Sequence, residues 1–165
     1  MADIIDNDLA SRTKYKISFK RLPNVVFNAT SCNFPSVSLG VANISTPFKT
    51  MGFAGTALEF SQFQMSYLLN ETHSNYGEIL HWMEGIGFPE SFDQEAALEA
   101  GDGIYSDFTV SVLTNAGNPV ARYTFTNAFP TSLSSLDFTS QDDQDSPIQV
   151  TATFEFMIFR LESLV

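Results

Sequence analysis

Lys14-Tyr15-Lys16-Ile17-Ser18-Phe19-Lys20 decides how the rest of the chain is read. Lys14, Lys16, Ser18 and Lys20 alternate with Tyr15, Ile17 and Phe19, so a period of two puts every apolar side chain on one side of the backbone. This is a strand with one buried face, and its signature returns along the chain. Val25 to Phe34 is expected as a second strand, ended by Pro35, which cannot donate to a ladder; the turn Leu22-Pro23-Asn24 would join the two as a hairpin. Residues 57–69 alternate again, first with Leu58 and Phe60, then with Phe63, Met65, Tyr67 and Leu69. The change of parity predicts a bulge near Ser61-Gln62. Tyr105–Leu113 and Val120–Thr126 flank the turn Asn115-Ala116-Gly117-Asn118 and read as another hairpin. A connection around Pro130, a short strand over Leu133–Thr139, an acidic turn Asp142-Asp143-Gln144-Asp145 and a long strand from Ile148 to Phe159 complete the series. In that last strand Val150, Ala152, Phe154, Phe156 and Ile158 face one side, and Gln149, Thr151, Thr153, Glu155 and Met157 the other.

Helical spacing occurs once, from about Ser74 to Glu84, where Tyr76, Ile79, Leu80 and Met83 recur at three and four and Ile86 extends the stripe. Ser74 or Asn75 would cap this helix, and Gly85 or Gly87 would end it. Residues 40–56, with Pro47, Gly52 and Gly55 among Ile44, Phe48, Met51 and Phe53, are expected as a long binding loop. Residues 88–104 read as a second long loop and 1–13 as an amino-terminal arm. The expectation is one mainly β domain over 1–165 with one flanking helix.

Composition narrows the function. The chain is 165 residues long, 44% hydrophobic and 13% aromatic, with 16 phenylalanines, far too apolar for a disordered chain, yet no apolar run is long enough to span a bilayer. Eight Lys and Arg against 19 Asp and Glu leave a net charge of -11, which argues against a protein that grips phosphate. Five of the eight basic residues lie in the first 21 positions, and none lies between Lys49 and Arg122. Charged residues are only 16% of the chain, against about 25% in a typical domain. The surface must then be rich in Ser, Thr, Asn, Gln and uncharged apolar area, which suits subunit contacts. A single cysteine, Cys32, excludes an internal disulfide framework and cysteine-rich zinc sites, and its place in a strand reads as a structural thiol. The start, Met1-Ala2-Asp3-Ile4-Ile5-Asp6, is acidic where a secretory leader is basic, so a cytosolic compartment is expected.

No motif nominates a reaction. His73 and His81 have no metal-ligand spacing, and the 142–145 acids lack the glycine and the later glutamate of a calcium loop. Gly85-Ile86-Gly87 closes a helix where a dinucleotide loop would open one, and neither a phosphate loop nor a nucleophile elbow occurs. Glu59, Glu71, Glu78, Glu84 and Glu155 offer carboxylate pairs only in the sense that any acidic chain does. The Asn28, Asn43 and Asn70 triplets have the glycosylation pattern but no secretory leader. The residues point to no catalytic site, no metal and no cofactor.

Two stretches resemble the tail tube family of contractile-tailed bacteriophages and the related tube and tube-initiator proteins of contractile injection systems. One is Asn127-Ala128-Phe129-Pro130-Thr131-Ser132-Leu133-Ser134-Ser135-Leu136-Asp137-Phe138 followed by Ile148-Gln149-Val150-Thr151-Ala152-Thr153-Phe154-Glu155-Phe156, similar to the family's aromatic-Pro-Thr turn, short strand and long closing strand. The other is Tyr67-Leu68-Leu69-Asn70-Glu71 with Asn75-Tyr76 and Trp82, and the opening Phe34-Pro35 and Leu39 also fit. The strand-helix signature looks at least as much like the baseplate tube initiators as the main tube subunit.

The resemblance implies a β-sandwich or barrel-like subunit whose strands complete a shared barrel in hexameric rings, stacked into a hollow tube for DNA. Partners would be the tail sheath, baseplate or tube-initiator proteins, and tape measure protein and DNA in the lumen, in a virion tail assembled in the host cytoplasm. Candidate lumen residues are Glu59, Gln62, Gln64, Ser66, Gln149, Thr151, Thr153 and Glu155, making the wall acidic and polar. Phe48, Met51, Phe53, Arg12, Lys14 and Lys16 are candidate contacts between subunits or rings, and the helix with Tyr76 and Trp82 would face outward to the sheath. A monomeric β-barrel holding a small apolar ligand and a glycan hydrolase of a phage particle are the readings from other classes.

Overall fold

The computed structural model describes residues 13–87, 90–91, 93–94, 103–139 and 146–164. It is mainly β, with strands β1 (Tyr15–Phe19), β2 (Ala29–Asn33), β3 (Val37–Ser45), β4 (Thr50–Phe60), β5 (Phe63–Leu68), β6 (Ser106–Leu113), β7 (Pro119–Leu133), β8 (Gln149–Glu155) and β9 (Ile158–Ser163), and helices α1 (Pro23–Phe27) and α2 (Ser74–Gly87).

Strand β7 organises the molecule. Its first half pairs with β6 and β9, and its second half with β8. Two four-stranded sheets share it: β1-β6-β7-β9, and β7-β8-β5-β2. At Asn127 the backbone takes a left-handed φ of 53°, and its N–H is received by Asp107 Oδ1 at 2.8 Å. Opposite that point the closing strand also breaks, at Phe156-Met157, so β7 and the β8–β9 ribbon bend together from one sheet into the other.

Between the sheets lies an aromatic core. Phe19 is the register partner of Phe108, Phe108 of Phe125, and Phe125 of Phe159. Their rings stack in a row at 4.5, 4.4 and 5.5 Å. The facing sheet lays Phe63 and Phe154, themselves partners, across this row, with Phe63 at 4.9 Å from Phe108 and Phe154 at 5.4 Å from Phe19. Both helices close the same core. Leu22 and Val25 are buried beside α1, and α2 inserts Ile79 and Trp82.

Asn75, fully buried, ties α2 to the end of β5. Its amide donates to the Leu68 carbonyl at 2.7 Å, and its Oδ1 accepts the N–H groups of Tyr76 and Asn70 at 3.0 and 3.3 Å. Ser74 is the first helical residue, with its hydroxyl on the side chains of Asn70 and Thr72.

Several expectations are corrected. A helix beyond the expected one stands among the described residues, because Pro23 opens α1 where Val25 and Val26 suggested a strand, proline being suited to the first helical turn. That helix carries the chain across the fold, so β1 pairs with β6 and β2 with β5, and the two make no hairpin. Ser61-Gln62 is no bulge but the step from one sheet system to another, which is why the parity changes there. Pro130 lies inside β7 opposite Phe154, in the half of that strand paired on one side only, where a missing N–H is tolerated, and residues 134–139 form no strand. The break at Phe156-Met157 turns Ile158 out of the core face, leaving it 40% exposed.

The largest correction concerns 40–56, which is no loop. Val37–Ser45 and Thr50–Phe60 form an antiparallel hairpin closed by Thr46-Pro47-Phe48-Lys49, with the Thr46 N–H donating to the Lys49 carbonyl at 3.0 Å. Residues 1–12, most of 88–102 and the acidic turn Asp142–Asp145 lie outside the described residues.

Candidate functional site

Three features of the surface are unfinished in a single chain: strand edges, the β3–β4 hairpin, and one polar sheet face. Edges come first. Among the described residues β1, β2, β9 and the second half of β7 each have a partner strand on one side only. Edge strands with open backbone groups are templates for pairing with another chain. Strands β1 and β2 stand across an open seam, bridged where the Tyr15 hydroxyl donates to the Thr30 carbonyl at 2.9 Å. The cleft there, about 540 Å³, is lined by Ile17, Val26, Phe27 and Ala29 among others, and Phe27 is 89% exposed.

The hairpin leaves the body at a pinned root. There the Ser61 N–H donates to the Ser36 carbonyl at 3.0 Å, the Ser36 N–H to Ser61 Oγ at 2.7 Å, and Phe60 packs 5.1 Å from Phe159. Beyond it, among the described residues, β3 and β4 pair only with each other. An 11-residue strand reaches about 35 Å, more than twice the ~15 Å radius of gyration of a domain this size.

Of the sixteen large hydrophobics left exposed among the described residues, eight lie on this hairpin. That concentration is not scattered surface apolarity, and it makes the hairpin a candidate contact surface. Cross-strand register splits it: Val37, Leu39 and Leu58 lie toward the root on one face, while Ile44, Met51 and Phe53 lie toward the tip on the other. Phe48, in the turn, is 99% exposed. Gly55 is required at the register shift, because a Cβ there would stand 2.4 Å from the Gly40 carbonyl oxygen.

The polar face is the outward side of β7-β8-β5-β2. Alternation sends Phe63, Met65, Tyr67, Val150, Ala152 and Phe154 into the core and turns their neighbours to the other side of the sheet, where Thr153 is itself buried. Register aligns those neighbours in rows. Asn33, Gln64, Thr153 and Ser132 form one, and Ser31, Ser66 and Thr151 a second, which Ser134 extends by donating its N–H to the Thr151 carbonyl at 2.9 Å. Ser66 and Thr151 hydroxyls meet at 3.0 Å, the Gln149 amide donates to Thr30 Oγ1 at 3.3 Å, and the Gln62 amide donates to Glu155 Oε1 at 3.0 Å.

Seven of the eight candidate lumen residues, Gln62, Gln64, Ser66, Gln149, Thr151, Thr153 and Glu155, are thus brought together on one face. Glu59 is not: it lies on the hairpin opposite Ser38. The face is polar but hardly acidic, with one carboxylate. Asn33, Ser31 and Ser132 were missed as members of the rows, because alternation assigns a face and not a neighbour.

Lys14 and Lys16 are exposed at β1, and Arg12 is outside the described residues. Trp82 does not face outward. It is buried edge-on to Phe19 at 6.1 Å, its indole N–H donates to the Ile104 carbonyl at 2.9 Å, and the Arg21 guanidinium lies 4.5 Å above its ring. Tyr76 is half-buried, and the outward side of α2 carries Leu80, His81 and Glu84. His81 Nδ1 and Glu84 Oε2 are 3.1 Å apart.

No group of three potential metal ligands occurs among the described residues, and no helix among them is long and apolar enough to cross a membrane. Burial pushes the Cys32 thiol and the Tyr67 hydroxyl above their ordinary ranges.

No curated protein matches the chain in sequence. Solved structures share its fold. A chain of the anti-feeding prophage baseplate, six-fold symmetrised, aligns with a TM-score of 0.64 at 14% identity, over 94% of this chain and 95% of that one. A chain of the anti-feeding prophage tube-terminating cap aligns at 0.63 and 14%, over 99% of each. A chain of the sheath-tube complex of an extracellular contractile injection system in the extended state aligns at 0.59 and 14%, over 96% and 95%. The family model described as phage tail tube protein matches residues 5–162. Because that match takes in nearly the whole chain, the protein belongs to the phage tail tube protein family, a structural component of the tail and not an enzyme.

Proposed function

We propose that this chain is the repeating subunit of a contractile tail tube, in which six copies close a ring and rings stack into a conduit for DNA. One observation carries the reading. A four-stranded sheet with an aromatic core on one side and a polar face bearing one carboxylate on the other ends at two edges, β2 and the second half of β7, that have no further partner strand among the described residues. Joining the β7 edge of one copy to the β2 edge of the next is a heterologous contact, which closes into a ring when the rotation per copy is right. Closure removes the edges and turns the polar rows toward one axis.

The hairpin then reaches a neighbouring copy or ring with Phe48, Met51 and Phe53, and Lys14, Lys16 and Arg12 offer cations to acidic neighbours. The side of α2 with Leu80, His81 and Glu84 faces the sheath, and a baseplate protein starts the stack. Tape measure protein occupies the lumen before DNA, and assembly takes place in the host cytoplasm. The likeness to a chain in a sheath-tube complex supports the sheath contact. The likeness to a chain in a six-fold symmetrised baseplate favours a second reading, the tube initiator at the baseplate. A small-ligand carrier is disfavoured, since the space such a barrel would hollow out is filled by the chain's own phenylalanines.

Negative-stain microscopy of purified protein, alone and with a baseplate nucleus, tests this. Stacked annuli of indefinite length are expected for the tube subunit, and single rings for the initiator. A monodisperse monomer at high concentration in both conditions overturns the proposal.

A further inference from the structure

We propose that Glu155 is the charge-selecting residue of the conduit, forming one carboxylate collar per ring on a wall whose other described residues are uncharged. The inference rests on the reading that the outward face of β7-β8-β5-β2 lines the lumen. On that face the rows Asn33-Gln64-Thr153-Ser132 and Ser31-Ser66-Thr151-Ser134 contain only hydroxyls and amides, Gln149 and Gln62 add two more amides, and Leu68, the register partner of Gln149, is apolar. Glu155 alone among these described residues can carry charge, although the chain as a whole has a net charge of -11. Its carboxylate is held by the Gln62 amide at 3.0 Å, at the end of β8 nearest the hairpin root at Ser61.

Such a wall works differently from a uniformly acidic one. Hydroxyls and amides exchange hydrogen bonds with water or cargo at little net gain, so they neither trap nor expel a duplex. A carboxylate acts over about 8 Å at physiological ionic strength. Repulsion of phosphate is therefore confined to one level per ring, and a cation at that level would convert the collar into a phosphate trap.

The test assembles tubes in the presence of short double-stranded DNA, digests with nuclease, and measures the protected DNA per mass of tube. Wild-type tubes are expected to protect almost none. Glu155→Lys tubes should protect at least about tenfold more at low salt, and their affinity should fall about a thousandfold between about 50 and 200 mM salt if six lysines each meet a phosphate. Glu84→Lys, the same charge change on α2, should leave any bound DNA open to nuclease. Gln62→Lys, which sets an ammonium against the Glu155 carboxylate, should cancel the charge of the collar and raise protection above wild type by less than Glu155→Lys does, and it carries the test if Glu155→Lys does not fold.

Intact Glu155→Lys and Gln62→Lys tubes that protect no more DNA than Glu84→Lys overturn the assignment of Glu155 alone. Failure of both lysine variants to assemble while wild type does places residue 155 in a subunit contact and overturns it too. Absence of tubes from the wild-type chain overturns the underlying reading instead.

Discussion

Phe108 stands in the middle of the stacked row, touching Phe19 and Phe125 on its own sheet and Phe63 across the core. Phe108→Ala should therefore cost about 3–5 kcal/mol, read as a lower midpoint in urea unfolding. Tyr67 gives the opposite case. Its ring is buried between strand and helix, and its hydroxyl has no hydrogen-bond partner among the described residues. Removing an unsatisfied buried hydroxyl should stabilise, so Tyr67→Phe is expected to gain about 1 kcal/mol. The same burial holds the hydroxyl protonated beyond the ordinary tyrosine value of 10.0. As pH rises past that value the unfolded chain releases the proton and the folded chain keeps it, so the unfolded state gains and stability falls. Urea unfolding between about pH 9 and 11 should show this decline for wild type and a smaller one for Tyr67→Phe. Alternation alone placed Phe19, Phe63 and Phe154 inward. It did not link Phe19 to Phe108, because a period of two says which side a residue faces and leaves its neighbour 89 positions away unspecified.

At the scale of elements, the hairpin was the least legible part, and in the proposed assembly it carries the contacts between copies. Gly40, Gly52 and Gly55 with Pro47 read as loop chemistry, whereas Pro47 sits in the turn and Gly55 permits the backbone of β4 to pass close to β3. The signal that was present is the proline in the second position of a four-residue turn between two runs containing Val, Leu and Phe. Gly55→Val should distort the hairpin and abolish assembly, while the monomer keeps its stability to within about 0.5 kcal/mol, as expected of substitutions away from the core. Phe48→Asp should do the same without bending the backbone. Thermal unfolding together with sedimentation checks both, and a matched loss of stability and assembly would place the hairpin in the fold instead of the interface. Helix α2 was legible from its spacing. Its orientation was misread at Trp82, because a tryptophan on a helical stripe is consistent with either face until the Ile104 carbonyl and the Phe19 ring are in view.

For the whole molecule, charge and edges oppose each other. In the proposed tube, copies of net charge -11 repel one another, while open edges and exposed hairpin side chains would draw them together. Salt screens the first far more than the second, so the concentration needed for assembly should fall as ionic strength rises from about 0.01 to 0.15 M, where the Debye length drops from about 30 to 8 Å. Light scattering across that series checks it; a threshold that rises with salt would make ion pairs the dominant contact. Hydrogen exchange followed in monomer and in assembled tube bears most directly on closure of the sheet by neighbouring copies. Outward amides of Ala29–Asn33 and of Phe129–Leu133 should exchange fast in the monomer and slow by orders of magnitude in the tube. Tubes in which those amides still exchange at the monomer rate would contradict it.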